Sequence, residues 1–224
     1  MPILSGITIQ GGTLGIYVPP TVPTTIGEAF GGGYYAGQIS TAGNGVATHY
    51  LIVAPKSSGE STKQWNTTNT DSPGTSSVID GPTNSSNMND ANHPAAQFCK
   101  GLTIGGYTDW YMPALNELEV LYYNLKPTTN SNNTSSGINT NAVPSRSSNY
   151  TSGTPAQTSV TDFKNSGTQA FTYNPGLGLY PTQFSSTQGF SPAYGTLIDF
   201  QTGQSTVSFK SNYRPVRAIR RIPV

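Results

Sequence analysis

Gly105-Gly106-Tyr107-Thr108-Asp109-Trp110-Tyr111-Met112-Pro113-Ala114-Leu115-Asn116-Glu117-Leu118 runs from a glycine pair into a proline-led helix. Leu115, Leu118, Leu121 or Tyr122, and Leu125 recur at i, i+3 and i+4, the spacing of one buried helical stripe. A helix is therefore predicted over 113–125. Pro113 suits its first turn, where the missing N–H has no partner to lose, and Lys126-Pro127 stops it. Just upstream, Asp109 stands where a carboxylate can accept backbone N–H bonds and meet the positive end of the helix dipole. Trp110 is large enough to fill the gap between helix and sheet. Glu117 and Glu119 are two positions apart, so they point to different helix faces and do not form an acid/base pair.

Toward the N-terminus, a second, shorter helix is predicted over 93–102. Asn89 or Asp90 is expected to cap it, Pro94 falls in its first turn, and Ala95, Ala96, Cys99 and Leu102 share its inner face. Cys99 reads as a small core residue. Residues 61–90 are rich in Ser, Thr, Asn and Asp and read as loop. Residues 26–60 hold strands, including the apolar run His49-Tyr50-Leu51-Ile52-Val53-Ala54. Gly31-Gly32-Gly33 has no Lys-Ser/Thr after it, so it reads as a turn and not as a phosphate loop. Ile7 and Ile9, then Leu14, Ile16 and Val18, alternate with other residues around Gly11-Gly12, the pattern of a hairpin. Pro19-Pro20-Thr21-Val22-Pro23 follows as a stiff connector. Residues 1–25 are thus expected to be an attachment arm, and 26–224 one domain.

Toward the C-terminus, 128–159 is a long Ser/Thr/Asn-rich insertion, a length more typical of a contact element than of a plain connection. Tyr194–Phe200 and Ser205–Phe209 flank Gln201-Thr202-Gly203-Gln204, a hairpin signal. Val216–Ile222 reads as a terminal strand paired inside a sheet, with Arg217, Arg220 and Arg221 on its solvated face or in a subunit contact. Strands, two helices, long loops and strands again argue an α+β fold.

Composition narrows the function classes. Of the 224 residues, 34% are hydrophobic and only 9% charged, against a usual ~25%. The net charge of +1 offers no field to gather nucleic acid or an anionic membrane. Thirteen Tyr, eight Phe and two Trp argue against a disordered polar chain. A single cysteine leaves no intramolecular disulfide and no Cys-based zinc site. No signal peptide or membrane-spanning run is read at the start. Asn87, Asn89 and Asp90 lack the Gly and closing Glu of an EF-hand loop. Ser185-Ser186-Thr187 lacks the flanking glycines of a nucleophile elbow. No catalytic residue, metal ligand or cofactor is expected.

Three motifs in order carry a resemblance. Asp109-Trp110-Tyr111-Met112-Pro113 followed by Glu117-Leu118, then Phe184-Ser185-Ser186-Thr187, then Arg214-Pro215-Val216-Arg217-Ala218-Ile219-Arg220-Arg221, are similar to the signature of the Legionella collagen-like C-terminal family. That family reads Asp-Trp-Arg-Leu-Pro, Trp-Ser-Ser-Thr and a closing Val-Arg-x-Val-Arg, so Tyr111 and Phe184 depart from it. The resemblance implies a C-type-lectin-like fold of the formylglycine-generating-enzyme branch. It gives structural roles to Asp109, Trp110, Pro113, Glu117, Phe184, Ser185, Ser186, Thr187 and Arg217. The lone Cys99 lacks the cysteine pair of the oxidase that names the branch. The Glu-Pro-Asn and Trp-Asn-Asp calcium motifs of lectins are absent.

Many family members with a similar Ala96-Gln97-Phe98-Cys99 helix and Lys126-Pro127-Thr128-Thr129 loop are bacteriophage virion proteins. The resemblance therefore implies a virion protein without catalytic activity, in a tail fibre or tail tip, made in the host cytoplasm and displaying a host-binding domain. A capsid decoration protein or a glycan- or protein-binding adhesin is the alternative. Expected partners are its own copies (a homotrimer), other virion proteins through the arm, and a host-surface glycan or protein, without nucleic acid or membrane insertion. The ligand face of related binders lies between the Ser-Ser-Thr motif and the last strand. Here that region offers Gln188, Phe190, Tyr194, Gln201, Gln204, Lys210, Asn212 and Tyr213. The loops 128–159 and 188–213 are expected to make the outward surface.

Overall fold

A computed structural model describes residues 7–10, 13–16, 22–172 and 182–224. Near the N-terminus, β1 (Ile7–Gln10) and β2 (Thr13–Ile16) pair antiparallel with Ile7 opposite Ile16. The pairing has the hairpin register that the alternating sequence predicts. Residues 1–6, 11–12 and 17–21 of the expected attachment arm lie outside the described residues.

The largest sheet is antiparallel. β3 (Ala29–Phe30), β4 (Gly33–Ile39) and β5 (His49–Val53) come first, β7 (Ala142–Val143) adds to β4, and β12 (Ile219–Pro223) closes it beside β5. Gly31 and Gly32 turn the chain into β4 with φ of 57° and 83°. A Cβ on Gly32 would stand 2.8 Å from the Ile104 carbonyl, so both backbone angle and space require glycine there.

The helix after Pro113 is α4, Leu115–Leu125, which starts two residues later than the spacing suggests. Its N-terminal amides are met from three places. Ala114 N–H donates to Glu117 Oε2 (2.8 Å), Leu115 N–H to the Thr187 hydroxyl (3.0 Å) and Asn116 N–H to the Val78 carbonyl (2.8 Å). Asp109 plays no part in this cap. Its carboxylate instead takes both Nε and Nη2 of Arg220 at 2.7 and 2.9 Å. The fork geometry of a guanidinium on a carboxylate outcompetes a lone N–H donor here.

Residues 61–90 are not all loop. β6 (Glu60–Gln64) follows the short α1 (Lys56–Gly59) and pairs with β11 (Tyr213–Arg217), and α2 spans Gly81–Asn87. α2 has no apolar stripe to betray it. Asp80 caps it by accepting from Thr83 N–H (3.2 Å), Pro82 sits in its first turn, and Ser85 Oγ donates to the Met112 carbonyl (3.1 Å). α3 (Pro94–Lys100) is capped by His93, not by Asn89 or Asp90; Asp90 lies one turn earlier and accepts from His93 N–H through its own carbonyl.

The expected terminal strand is two strands. The chain leaves β11 at Ala218 and enters β12 in another sheet. Its arginines are neither on a solvated face nor waiting for a subunit. Arg217 has no exposed surface; it donates to the Ala54 carbonyl (2.7 Å), Gln169 Oε1 (3.1 Å) and Glu60 (3.1 Å). Arg220 lies over the Tyr107 ring at 3.7 Å, and Arg221 Nε donates to Glu117 Oε1 at 2.6 Å. Burial is possible because each guanidinium finds its acceptors inside the fold.

The third sheet holds β8 (Thr182–Gln188), β9 (Tyr194–Asp199) and β10 (Ser205–Phe209) in the order β10-β9-β8. β9 and β10 form the predicted hairpin. Its Gly203 has φ of 72°, and a Cβ there would stand 2.2 Å from the Tyr122 ring of α4. Two apolar clusters hold the layers together. One joins Leu118, Leu121, Tyr122 and Leu125 of α4 to Ile39, Leu51, Ile198 and Phe200. The other centres on Trp65 and Trp110 with Ile52, Cys99, Phe184, Leu197 and Val216. Trp110 has no exposed surface and donates its ring N–H to the Tyr107 carbonyl (3.1 Å). Short helices segregated from antiparallel sheets make the fold α+β.

Candidate functional site

Residues of the suggested ligand face separate into three groups. Phe190 is 85% exposed, and its ring lies 5.4 Å from that of Tyr194. Tyr194 stacks in turn on Phe209 at 4.8 Å, and Phe209 is half exposed. Phe209 was not among the residues picked from the sequence. The signal was available, since Phe209 and Tyr194 are directly opposite in the β9–β10 register. The tip is held by hydrogen bonds from Gly189 N–H to the Tyr194 carbonyl and from Lys210 N–H to the Ala193 carbonyl.

Lys210 and Gln188 belong elsewhere. Lys210 is fully buried, with its ammonium 4.3 Å from the Trp65 ring. It donates to the Thr70 carbonyl (2.9 Å), Ser72 Oγ (3.1 Å) and Gln188 Oε1 (2.5 Å). Burial pushes its pKa down to about 8, opposed by the Asp71 carboxylate. A cation so enclosed cannot reach a ligand, so Lys210 is a brace for the 69–72 loop. Gln188 completes that brace by donating to Asp71 (2.8 Å). Asn212 is half-buried and donates to the Ser208 hydroxyl (3.1 Å). Gln201 and Gln204 lie at the far end of the hairpin from Phe190, and Tyr213 is exposed on β11.

Beside the hairpin is a cavity of about 340 Å³. The 128–159 insertion contributes Ser135, Ser136, Gly137, Ile138 and Asn149, the hairpin Ile198, Gly203 and Ser205, and α4 Leu115, Asn116 and Glu119. A neighbouring cavity of about 260 Å³, lined by Tyr123, Arg146 and Tyr150, shares Asn149 with it. Glu119 is the post between the two. Its carboxylate accepts from Arg146, from the Tyr150 hydroxyl and from the Asn139 amide (2.5 Å). Burial raises the Glu119 pKa, and Arg146 together with these donors opposes that rise. Tyr150 is pushed far up by burial and by Glu119, so its hydroxyl keeps the proton it donates. Arg146 covers the Tyr123 ring at 4.1 Å. Glu117 belongs to a separate network, with Tyr111 (2.5 Å) and Arg221. Thus the two carboxylates do face different partners.

Two further motifs resolve into packing. Thr187 caps α4, as above, and donates to the Ser77 carbonyl (2.9 Å). Ser185 Oγ lies 2.5 Å from the Thr196 hydroxyl, and Ser186 Oγ accepts from Asn84 (3.2 Å). Phe184 is fully buried in the tryptophan cluster, and Pro113 accepts from Ser186 N–H (2.7 Å) through its carbonyl.

The sequence did not suggest one arrangement that the fold creates. Ser72 Oγ lies 2.9 Å from His93 Nε2, and His93 Nδ1 lies 2.9 Å from Asp90 Oδ1. The connectivity is that of a serine–histidine–aspartate relay. The hydroxyl is nevertheless saturated, because it also accepts from Asn66 Nδ2 (3.2 Å) and Lys210 Nζ (3.1 Å) and is only 4% exposed. Ser72 N–H is spent on Gln188 (2.9 Å), so it is not free to serve an oxyanion. The relay thus acts as a clamp that ties the 66–72 loop to α3 and β10. Among the described residues, no group of three His, Cys, Asp or Glu could hold a metal ion. Burial drives the Cys99 thiol pKa far up, so it stays a core thiol.

No curated protein and no solved structure matches the chain. A family model does. The Asp-Trp segment, the Ser-Ser-Thr strand and the closing arginine strands as far as Arg220, which the fold locks together around α4, fall inside residues 60–220 matched by the Lcl C-terminal domain model, and the chain belongs to that family.

Proposed function

We propose that this chain is a bacteriophage virion protein, a tail-fibre or tail-tip component whose lectin-like domain recognises the host surface. The observation that carries the reading is the open ladder Phe190–Tyr194–Phe209. Soluble proteins leave single rings exposed without consequence, but a stacked, outward-facing set marks a contact surface. Tyr and Phe beside Ser and Asn supply contact area and hydrogen bonds at low entropic cost. The near-neutral charge suits recognition that depends weakly on salt. In this reading the role is binding without catalysis, and copies assemble about a symmetric axis, three to a fibre, with the N-terminal segment as the attachment.

Particles carrying Phe190→Ala with Phe209→Ala test it. They should assemble in normal yield and adsorb to cells at least about tenfold more slowly, a loss of roughly 1.4 kcal/mol of contact energy. Normal adsorption, or failure to assemble, would place the function elsewhere.

A further inference from the structure

The β9–β10 register has a geometric consequence. Ser205 is opposite Ile198, Val207 opposite Thr196, and Phe209 opposite Tyr194. Alternate residues of a strand share a face, so all six side chains stand on one side of the sheet. Ser205 and Ile198 line the 340 Å³ cavity, and Phe209 and Tyr194 form the aromatic stack. The cavity and the stack are therefore two ends of one face, separated by roughly 13 Å of strand at ~3.4 Å per residue.

The two ends have different chemistry. In the cavity, the side chains of Ser135, Ser205 and Asn149 make no hydrogen bond to any described residue, so they are available as donors and acceptors. Leu115, Ile138 and Ile198 give it an apolar wall. Among the described residues, Glu119 is the one ionisable group lining it, and its oxygens are already held by Arg146, Tyr150 and Asn139. A charged ligand finds no uncommitted counter-charge there, and burying it unpaired would be costly. A purely apolar ligand would strand the hydroxyls and the amide. A ring with hydroxyls around its edge and C–H groups on its face satisfies both walls. The aromatic stack offers the same kind of group a π surface. A volume of this size is at the small end of ligand pockets and suits one ring.

We propose that this face binds a neutral oligosaccharide at two points, with one sugar unit in the Asn149 cavity and a later unit of the same chain on the Phe190–Tyr194–Phe209 stack. This rests on the reading of the chain as a recognition module and adds the ligand class and a second subsite. Binding at two linked points makes affinity depend on chain length, because the second contact is intramolecular once the first has formed.

The test is calorimetric titration of the full chain with neutral glucose, galactose and N-acetylglucosamine oligomers of one to six units. At least one series should show affinity rising about tenfold or more between the single sugar and the oligomer long enough to span both points. Asn149→Ala and Phe209→Ala should each weaken that oligomer about fivefold or more, the first with a melting curve close to wild type and the second still folding cooperatively with a midpoint a few degrees lower. Asn149 is exposed and unbonded, so it is a fair probe of the cavity. Equal affinity for short and long oligomers, or an unchanged affinity in Asn149→Ala, overturns the two-point arrangement. If no oligomer binds but the Phe190/Phe209 particles adsorb poorly, the ligand class is wrong and recognition stands. If oligomers bind as described while those particles adsorb normally, the saccharide face stands and the host-recognition role falls.

Discussion

Arg217 and Phe209 sit on consecutive strands, and the fold treats them against type. The arginine is fully buried, while the phenylalanine is 45% exposed. Around Arg217 each guanidinium nitrogen has an acceptor, from Glu60, Gln169 and the Ala54 carbonyl, and the Phe171 ring lies 5.4 Å away. Phe209 stacks on a neighbouring ring and leaves its other side open. The contrast separates the part of the molecule that holds its shape from the part that is presented. In the first, most polar groups are buried with partners, the Gln183 amide and Asn84 Oδ1 being exceptions. In the second, apolar groups are open although burial would have stabilised them, and that unspent hydrophobicity is what a partner can use.

The largest effects are expected on the buried side. Arg217→Ala leaves Glu60 buried and unpaired, and should cost about 3–5 kcal/mol in a denaturant titration. Trp110→Ala should cost about as much, because a fully enclosed ring leaves a cavity. A loss below about 1 kcal/mol for either would break the contrast, since those residues would then not be holding the shape. If Trp110→Ala melted like wild type but lost ligand binding, the motif would belong to the presented side.

A smaller, pH-dependent effect belongs to Lys210, at the border of the two regions. With its pKa held near 8 in the folded chain and 10.5 ordinarily, the unfolded chain binds more protons between those values. Its contribution to stability therefore rises as pH climbs from about 8 to 10.5, and is flat below that window. Denaturant midpoints at pH 8 and pH 10 should show a gain in wild type that Lys210→Met lacks. An equal gain in both proteins would mean that the buried ammonium keeps its ordinary affinity for protons.

The smallest effects are expected at the ladder. Phe209→Ala should lose about 1 kcal/mol, the worth of one aromatic pair. Phe190→Ala, at 85% exposure, should fall within about 0.5 kcal/mol of wild type. A much larger loss at Phe190 would mean that the ladder serves the fold and would remove the ground for assigning it to recognition.

Local sequence alone determined the elements whose causes are local. The leucine stripe gave α4, His49–Val53 read as a strand because its run is apolar, and the Gly203 turn marked the β9–β10 hairpin. The three ordered motifs carried the family, and the order of strands and helices the α+β fold. Among the elements missed, β6 and α2 carry no hydrophobic period; their stability comes from β11 and from bonds such as Ser85 to Met112. Only tertiary structure decided where the charges and rings ended. The partners of Asp109, Glu60 and Glu117 on the closing strands are about a hundred or more positions away, and so is the Thr70 carbonyl from the Lys210 ammonium that donates to it. A residue's type sets what it needs, a hydrogen-bond acceptor or an apolar wall. Whether that need is met inside the protein or left for a partner depends on which distant strand arrives beside it, and sequence spacing carries no record of that meeting.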